Sequence, residues 1–224
     1  MYKVIGIDEA GKGPVLGSMF IGFSIIVLAE GLKDLNAYQD KLKKMGVKDS
    51  KKFTPKARNA VYEELKKCMD AKYAQLTPVL IDTNNERGGK LNELELDAMA
   101  KILNEEKPDL ILVDALTANP EKFAEDLRKK LAFECKIISE NKADDKYPIV
   151  GAASIIAKEL REQELAQIHE KVGDCGSGYP SDPKTRKFVC DRGNDESIRF
   201  LFRKSWKTFQ NLTKKEIQKT LEEF

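Results

Sequence analysis

Apolar positions recur along this chain with two periods, and the alternation between them predicts most of its elements. Residues 2–7 carry the β-branched run Val4, Ile5, Ile7, and residues 18–28 carry a second apolar run; both predict strands, close enough in sequence to pair antiparallel. Residues 29–52 are polar and read as a connection. Thr54-Pro55 supplies an N-cap followed by proline at the first helical position, which predicts a helix to about Met69. A third strand is expected over 73–81 and a glycine-containing loop over 84–90. Residues 91–106 return to helical period, with Leu91, Leu94, Ala98, Met99, Ile102 and Leu103 on one side.

The four consecutive aliphatics of Leu110-Ile111-Leu112-Val113 predict a strand buried on both faces, as in a parallel sheet. A helix over 120–131, a strand over 134–139 and a polar exit over 142–148 follow. A long helix is expected over 149–172, opening on Gly151-Ala152-Ala153-Ser154, whose small side chains permit close backbone packing. An irregular loop over 176–183 leads into a basic helical tail. Hairpin-like strands first and strand–helix alternation second predict an α/β fold, a mixed sheet of about five strands flanked by helices. The expected division is a catalytic core over 1–180 and a C-terminal helical extension over 181–224.

Composition narrows the chemistry. Of 224 residues 34% are charged and 41% hydrophobic, and the longest apolar run is too short to cross a bilayer, so a cytoplasmic monomer without membrane contact is expected. The four cysteines have no C-x-x-C spacing and there is one histidine, His169, which argues against a zinc set and against a Ser-His-Asp hydrolase. Acid–base work falls to carboxylates, lysines or metal-bound water. The net charge of +2 conceals an asymmetry: residues 184–215 hold ten Lys or Arg against three acids, interleaved with Phe188, Phe200, Phe202, Trp206 and Phe209. Such a stretch suits a nucleic-acid backbone, or equally an amphipathic helix with its aromatics turned inward.

Candidate chemistry concentrates where strands stop. The first strand leads into Asp8-Glu9-Ala10-Gly11-Lys12-Gly13-Pro14, a segment that cannot continue as regular structure. Alternation places Asp8 and Glu9 on opposite faces, so both serve one site only if the chain leaves β geometry just after Asp8. Asp114 closes the buried strand and Asp144 sits in the polar exit. Carboxylates beyond strand ends, with little His or Cys, suit the hard cations Mg²⁺ or Mn²⁺.

These segments resemble ribonuclease HII, the type 2 ribonuclease H family, in its archaeal branch. The resemblance rests on Gly6-Ile7-Asp8-Glu9-Ala10-Gly11-Lys12-Gly13-Pro14, Val47-Lys48-Asp49-Ser50-Lys51-Lys52, Leu91-Asn92-Glu93-Leu94-Glu95, Leu112-Val113-Asp114-Ala115-Leu116, Lys142-Ala143-Asp144-Asp145-Lys146-Tyr147-Pro148, Ala152-Ala153-Ser154-Ile155-Ile156-Ala157-Lys158 and Gly178-Tyr179-Pro180-Ser181-Asp182, in family order. It implies a ribonuclease H-like fold and an endonuclease that hydrolyses the RNA strand of RNA–DNA hybrids and single ribonucleotides in duplex DNA. Cleavage is expected 5′ to a ribonucleotide, leaving 5′-phosphate and 3′-hydroxyl ends, in DNA replication and ribonucleotide excision repair. It implies further that Asp8, Glu9, Asp114 and Asp144 are the catalytic carboxylates and hold two Mg²⁺ or Mn²⁺ ions. Asp144 is preferred to Asp145 because the family's aspartate directly follows the Lys-Ala pair.

The family's Gly-Arg-Gly turn, whose backbone meets 2′-hydroxyls, corresponds to Gly11-Lys12-Gly13, and Lys for Arg loses a planar fork. Tyr179 matches the tyrosine that packs on the deoxyribose after the junction. Lys48, Ser50 and Lys51 are candidate phosphate contacts, with the basic tail. At the C-terminus, Gln218, Leu221 and Phe224 have the spacing of a sliding-clamp-binding box, which makes the replication sliding clamp an expected partner.

Overall fold

The first strand forms and runs further than expected. The computed structural model describes residues 1–47 and 53–222, with side chains as far as Lys214. Strand β1 spans Tyr2–Ala10 and pairs antiparallel with β2, Met19–Leu28, from Tyr2↔Leu28 to Ala10↔Phe20. On its other edge β1 pairs in parallel with β4, Leu110–Asp114, but only from Val4↔Leu110 to Ile7↔Val113. The chain therefore does not leave β geometry after Asp8; β2 carries the ladder on to Ala10, while the opposite edge of β1 opens beyond Ile7. With β3 (Asp70–Leu76) and β5 (Lys136–Glu140, parallel to β4), the sheet order is β3-β2-β1-β4-β5.

Two expectations fail on the helices. The polar connection contains helix α1, Leu32–Lys44, whose Leu35 and Leu42 are buried two turns apart. Its start follows Gly31, at φ 70° with no side-chain cap, so the usual polar N-cap signal is missing. The strand expected over 73–81 ends at Leu76, and Pro78–Glu86 is helix α3. Thr77-Pro78 repeats the cap of the preceding helix α2 (Pro55–Cys68): each threonine hydroxyl accepts from the amide three residues on, both at 3.3 Å. Helices α4 (Leu91–Glu106), α5 (Pro120–Arg128) and α7 (Pro148–Val172) form where periodicity placed them.

The chain divides into two compact units that interleave in sequence, rather than parting once near residue 180. The first comprises Met1–Ala10, Phe20–Ala74 and Glu95–Leu160. Its core joins Val4, Ile26 and Leu112 of the strands to Leu35, Leu42, Leu65, Ile149 and Ile155 of α1, α2 and α7. Each such aliphatic contributes roughly 1.5–3 kcal/mol by leaving water. Ile5, Ile7, Ile111 and Val113, on the alternate positions, are equally inaccessible, so both sheet faces are covered. Helix α7 lies unusually close to the sheet. A Cβ on Gly6 would stand 2.4 Å from the Ile149 carbonyl oxygen, one on Gly22 2.3 Å from that of Ala153, and Ser24 Oγ donates to the Ile149 carbonyl at 2.6 Å.

The second unit comprises Gly11–Met19, Gln75–Leu94 and Arg161–Phe224, with helices α8 (Pro183–Arg192) and α9 (Lys207–Glu222) and a 3-10 helix over Glu196–Leu201. Its core gathers Val15, Leu16, Leu165, Ile168, Phe188, Phe202 and Phe209.

Candidate active site

Register places the carboxylates of the first unit. Ile7 stands opposite Val113 in the parallel ladder, and the next residue in each strand is an aspartate, Asp8 and Asp114. Val4 and Leu112 share one core face, and alternation carries Asp8 and Asp114 onto it. Asp8 is buried, and one of its carboxylate oxygens accepts the Glu9 backbone N–H at 2.8 Å. Across the ladder Asp8 faces Gly22, the glycine required by the approach of Ala153, so the carboxylate lies in the glycine-lined gap beneath α7.

The fourth carboxylate comes from the turn after β5. Lys142 adopts a left-handed conformation, φ 59°, an uncommon one for a non-glycine residue that recurs at functional turns. The reversal opens the short helix α6, Ala143–Lys146, and aims the Ala143 N–H at Asp114 Oδ1, 3.2 Å away. Buried Asp144 is the next residue. Glu140 closes the turn by accepting from Lys146 Nζ and Tyr147 Oη, both at 2.7 Å. Asp114 is thus tied to the segment that carries Asp144.

Negative charge is concentrated here. Burial raises Asp8 well above the usual carboxylate range, and the charges of Glu9 and Asp114 push the same way. The Ser154 hydroxyl and the Glu9 amide oppose the shift, although Ser154 Oγ has no partner in hydrogen-bonding geometry among the described residues. An oxygen-only donor set whose charge is disfavoured in isolation fits a hard divalent cation. Among the described residues, no three Asp, Glu, His or Cys side chains stand together as a finished coordination set. What is assembled is the order of the carboxylates along neighbouring strands and their mutual field.

The second unit holds the glycine turn and Tyr179. Gly11 has φ 87°, and a Cβ there would meet the Ser18 carbonyl at 2.9 Å and Arg161 Cδ at 3.0 Å. A Cβ on Gly13 would stand 3.2 Å from Cε1 of Tyr179, a residue that is 38% exposed. The turn at Gly13 therefore packs against the Tyr179 ring. The Lys12 ammonium donates to Asn92 Oδ1 of α4 at 3.3 Å.

Lys48, Ser50 and Lys51 lie outside the described residues, as does Phe224; Gln218 and Leu221 fall on α9 beyond the last described side chain. Of the five aromatics in the basic stretch, Phe188, Phe202 and Phe209 are core, with Phe202 packed between the other two at 6.0 and 5.3 Å. Phe200 is exposed. Arg203, counted in the sequence among surface cations, is wholly buried, and Arg161 of α7 is nearly so. Arg203 donates to the Lys12 carbonyl and Arg161 packs beside Gly11, and no periodicity signalled either one. The only hint for Arg203 is its place between Phe202 and Trp206.

The family model for ribonuclease HII matches residues 5–209. The chain is 42% identical over 218 residues to the ribonuclease HII of Thermococcus onnurineus, spanning 95% of this chain and 91% of that one. It superposes on the crystal structure of ribonuclease H2 from Pyrococcus horikoshii with a TM-score of 0.84 at 36% identity, covering 96% and 99% of the two chains. Ribonuclease HII of Archaeoglobus fulgidus, solved as a complex with PCNA, is similar at a TM-score of 0.80 and 35% identity, covering 91% of this chain and 95% of that one.

Proposed function

The chain belongs to the ribonuclease HII family, endoribonucleases of RNA–DNA hybrids, and from that premise we propose that it cuts 5′ to a ribonucleotide, including a single one within duplex DNA. The products are 5′-phosphate and 3′-hydroxyl ends. The observation that carries this reading is the strand register that sets buried Asp8 beside Asp114 at the opening edge of β1, with Asp114 tied through the Ala143 amide to the segment of Asp144. Asp8, Asp114 and Asp144 would hold Mg²⁺ or Mn²⁺, with Glu9, still in the ladder to β2, joining them around the edge of β1 that is free of β4 beyond Ile7; two such ions bound together would activate water and stabilise the departing oxygen.

The protein's own contribution is placement. Strand register fixes Asp8 beside Asp114, the Ala143 amide orients Asp114, and the Glu140–Tyr147 closure holds the segment of Asp144. Recognition rests on the turn. Only the 2′-hydroxyl marks a ribose in a duplex, and Gly11 and Gly13 leave backbone groups open to it. Tyr179 offers a flat face against the following deoxyribose, where a second 2′-hydroxyl would clash. Lys48, Ser50 and Lys51 contact phosphates without reading sequence, so binding weakens steeply as salt rises.

The decisive experiment is cleavage of a duplex bearing one ribonucleotide, with Mg²⁺ and with the metal chelated, beside the all-DNA duplex. Mg²⁺-dependent cutting at the ribonucleotide alone is expected; equal cutting of the all-DNA duplex would sink the assignment. The Archaeoglobus relative's complex with PCNA supports a sliding clamp as a partner. Gln218, Leu221 and Phe224 are the proposed anchors, and deleting residues 218–224 should abolish binding to a sliding clamp while hybrid cleavage persists.

A further inference from the structure

The Gly11-Lys12-Gly13 turn has no regular hydrogen-bonded ladder of its own, so other residues must hold its shape. Arg203 is wholly inaccessible, and its guanidinium spans the loop: Nε donates to the Gly17 carbonyl at 3.0 Å and Nη1 to the Lys12 carbonyl at 3.3 Å. Its backbone joins the same loop, the amide donating to the Val15 carbonyl at 3.0 Å, and the Trp206 ring lies 4.8 Å from the guanidinium carbon. Arg161 works from the other side. Its Nη2 donates to the Ser177 carbonyl at 2.5 Å, and its guanidinium carbon lies 4.9 Å from the centre of the Tyr179 ring. Its side chain occupies the space that a Cβ on Gly11 would need.

We propose that Arg203 and Arg161 are positioning residues for ribose recognition: Arg203 fixes the backbone of the turn, and Arg161 fixes Tyr179 against it. The proposal rests on the ribose-reading role given to the turn above. Stability alone is a poor explanation for this pair. Buried Arg203 Nη2 has no hydrogen-bond partner among the described residues, and an apolar side chain would avoid that cost. Burial, reinforced by the charge of Arg161, lowers the pKa of Arg203 to about 10. Two like charges kept under one loop instead give rigid forks at fixed carbonyls and a flat cationic support for an aromatic ring.

The test is equilibrium binding in Mg²⁺ on an Asp8→Asn background, expected to bind while cutting too slowly to interfere. Affinity for a duplex with one ribonucleotide is divided by affinity for the same all-DNA duplex. Arg203→Lys should lower that preference about tenfold, through the loss of charged hydrogen bonds, with all-DNA affinity unchanged. Trp206→Leu, which leaves the charge in place, should lower it about threefold and covers the case in which Arg203→Lys does not fold. Arg161→Lys should instead narrow the discrimination between one ribonucleotide and a run of them, the property assigned to Tyr179. A fall in melting temperature with every preference intact would make the arginines merely structural and overturn the proposal. Absence of any preference in Asp8→Asn alone would remove the ribose reading, and the proposal with it.

Discussion

Asp8 and Glu9 of the first unit run almost directly into the glycine turn of the second, yet the carboxylates and the turn are built on opposite plans. Asp8 and Asp114 sit on regular strands, and their placement is inherited from hydrogen-bonded register. The turn has no such ladder; its Lys12 carbonyl accepts from Arg203, Arg161 packs beside Gly11, and the residues after it are held by backbone bonds to Gly178, Leu201 and Arg203. On the proposed reading these carboxylates hold hard cations, and a rigid sheet then helps because small errors in position are costly in catalysis. On the same reading the backbone of the turn approaches a 2′-hydroxyl, and the arginines supply rigidity that a strand ladder would otherwise give. One region places negative charge in a buried setting, the other positive charge.

That contrast can be broken by separating turnover from recognition. Asp8→Asn should reduce the cleavage rate by about 10³-fold or more, since several kcal/mol of transition-state stabilisation is removed. Binding to the single-ribonucleotide duplex should stay within a few-fold. A variant that lost binding as well would show that the carboxylate region also recognises substrate.

Next in size is an effect on folding. Gly22→Ala pushes a Cβ into the Ala153 carbonyl, 2.3 Å away, and should destabilise the first unit by about 1–3 kcal/mol, seen as a melting temperature lower by several degrees. Gly31→Ala, with open space around the added Cβ but φ +70°, should cost only about 1 kcal/mol, from backbone strain alone. Equal losses would mean that α7 yields and that the close approach is not what fixes the gap at Asp8.

Divalent cation should stabilise wild-type protein in thermal unfolding, by about 2.7 kcal/mol at a hundred times its dissociation constant, and Asp8→Asn much less. The smallest effect concerns thiols. Burial raises Cys135 of the first unit and Cys175 of the second each to about 11, so at pH 8 about one thiol in a thousand is thiolate. Both pKa values lie above that of an unfolded thiol, so their contribution to stability is intact below about pH 9 and falls away as pH rises from 9 towards 11. Alkylation at pH 8 should therefore be slow at both, and slower at the fully inaccessible Cys175. Rapid labelling of Cys175 would show the second unit opening without the first.

Residues that carry their own punctuation are legible from their sequence neighbours. Thr54-Pro55 announces α2, the helical spacing of Leu91 to Leu103 announces α4, and the aliphatic block before Asp114 announces a parallel strand. Thr77-Pro78 carries the same cap signal, but the apolar residues after it read as a continuation of strand. Helix α1 begins after a glycine and has no side-chain cap, so only its burial against the sheet distinguishes it from a loop.

Strand character, the aspartates after Ile7 and Val113, and the bare glycines of the turn were set by local chemistry, where a residue's neighbours in sequence are enough. Tertiary structure alone decided which edge of β1 opens at Asp8, how far α7 descends onto Gly6 and Gly22, and that Arg161 and Arg203 end up inside. A guanidinium has the same local preferences in water or in a core. Its role is assigned only when Lys12 and Gly17 are folded back to within reach of a residue nearly two hundred positions along the chain.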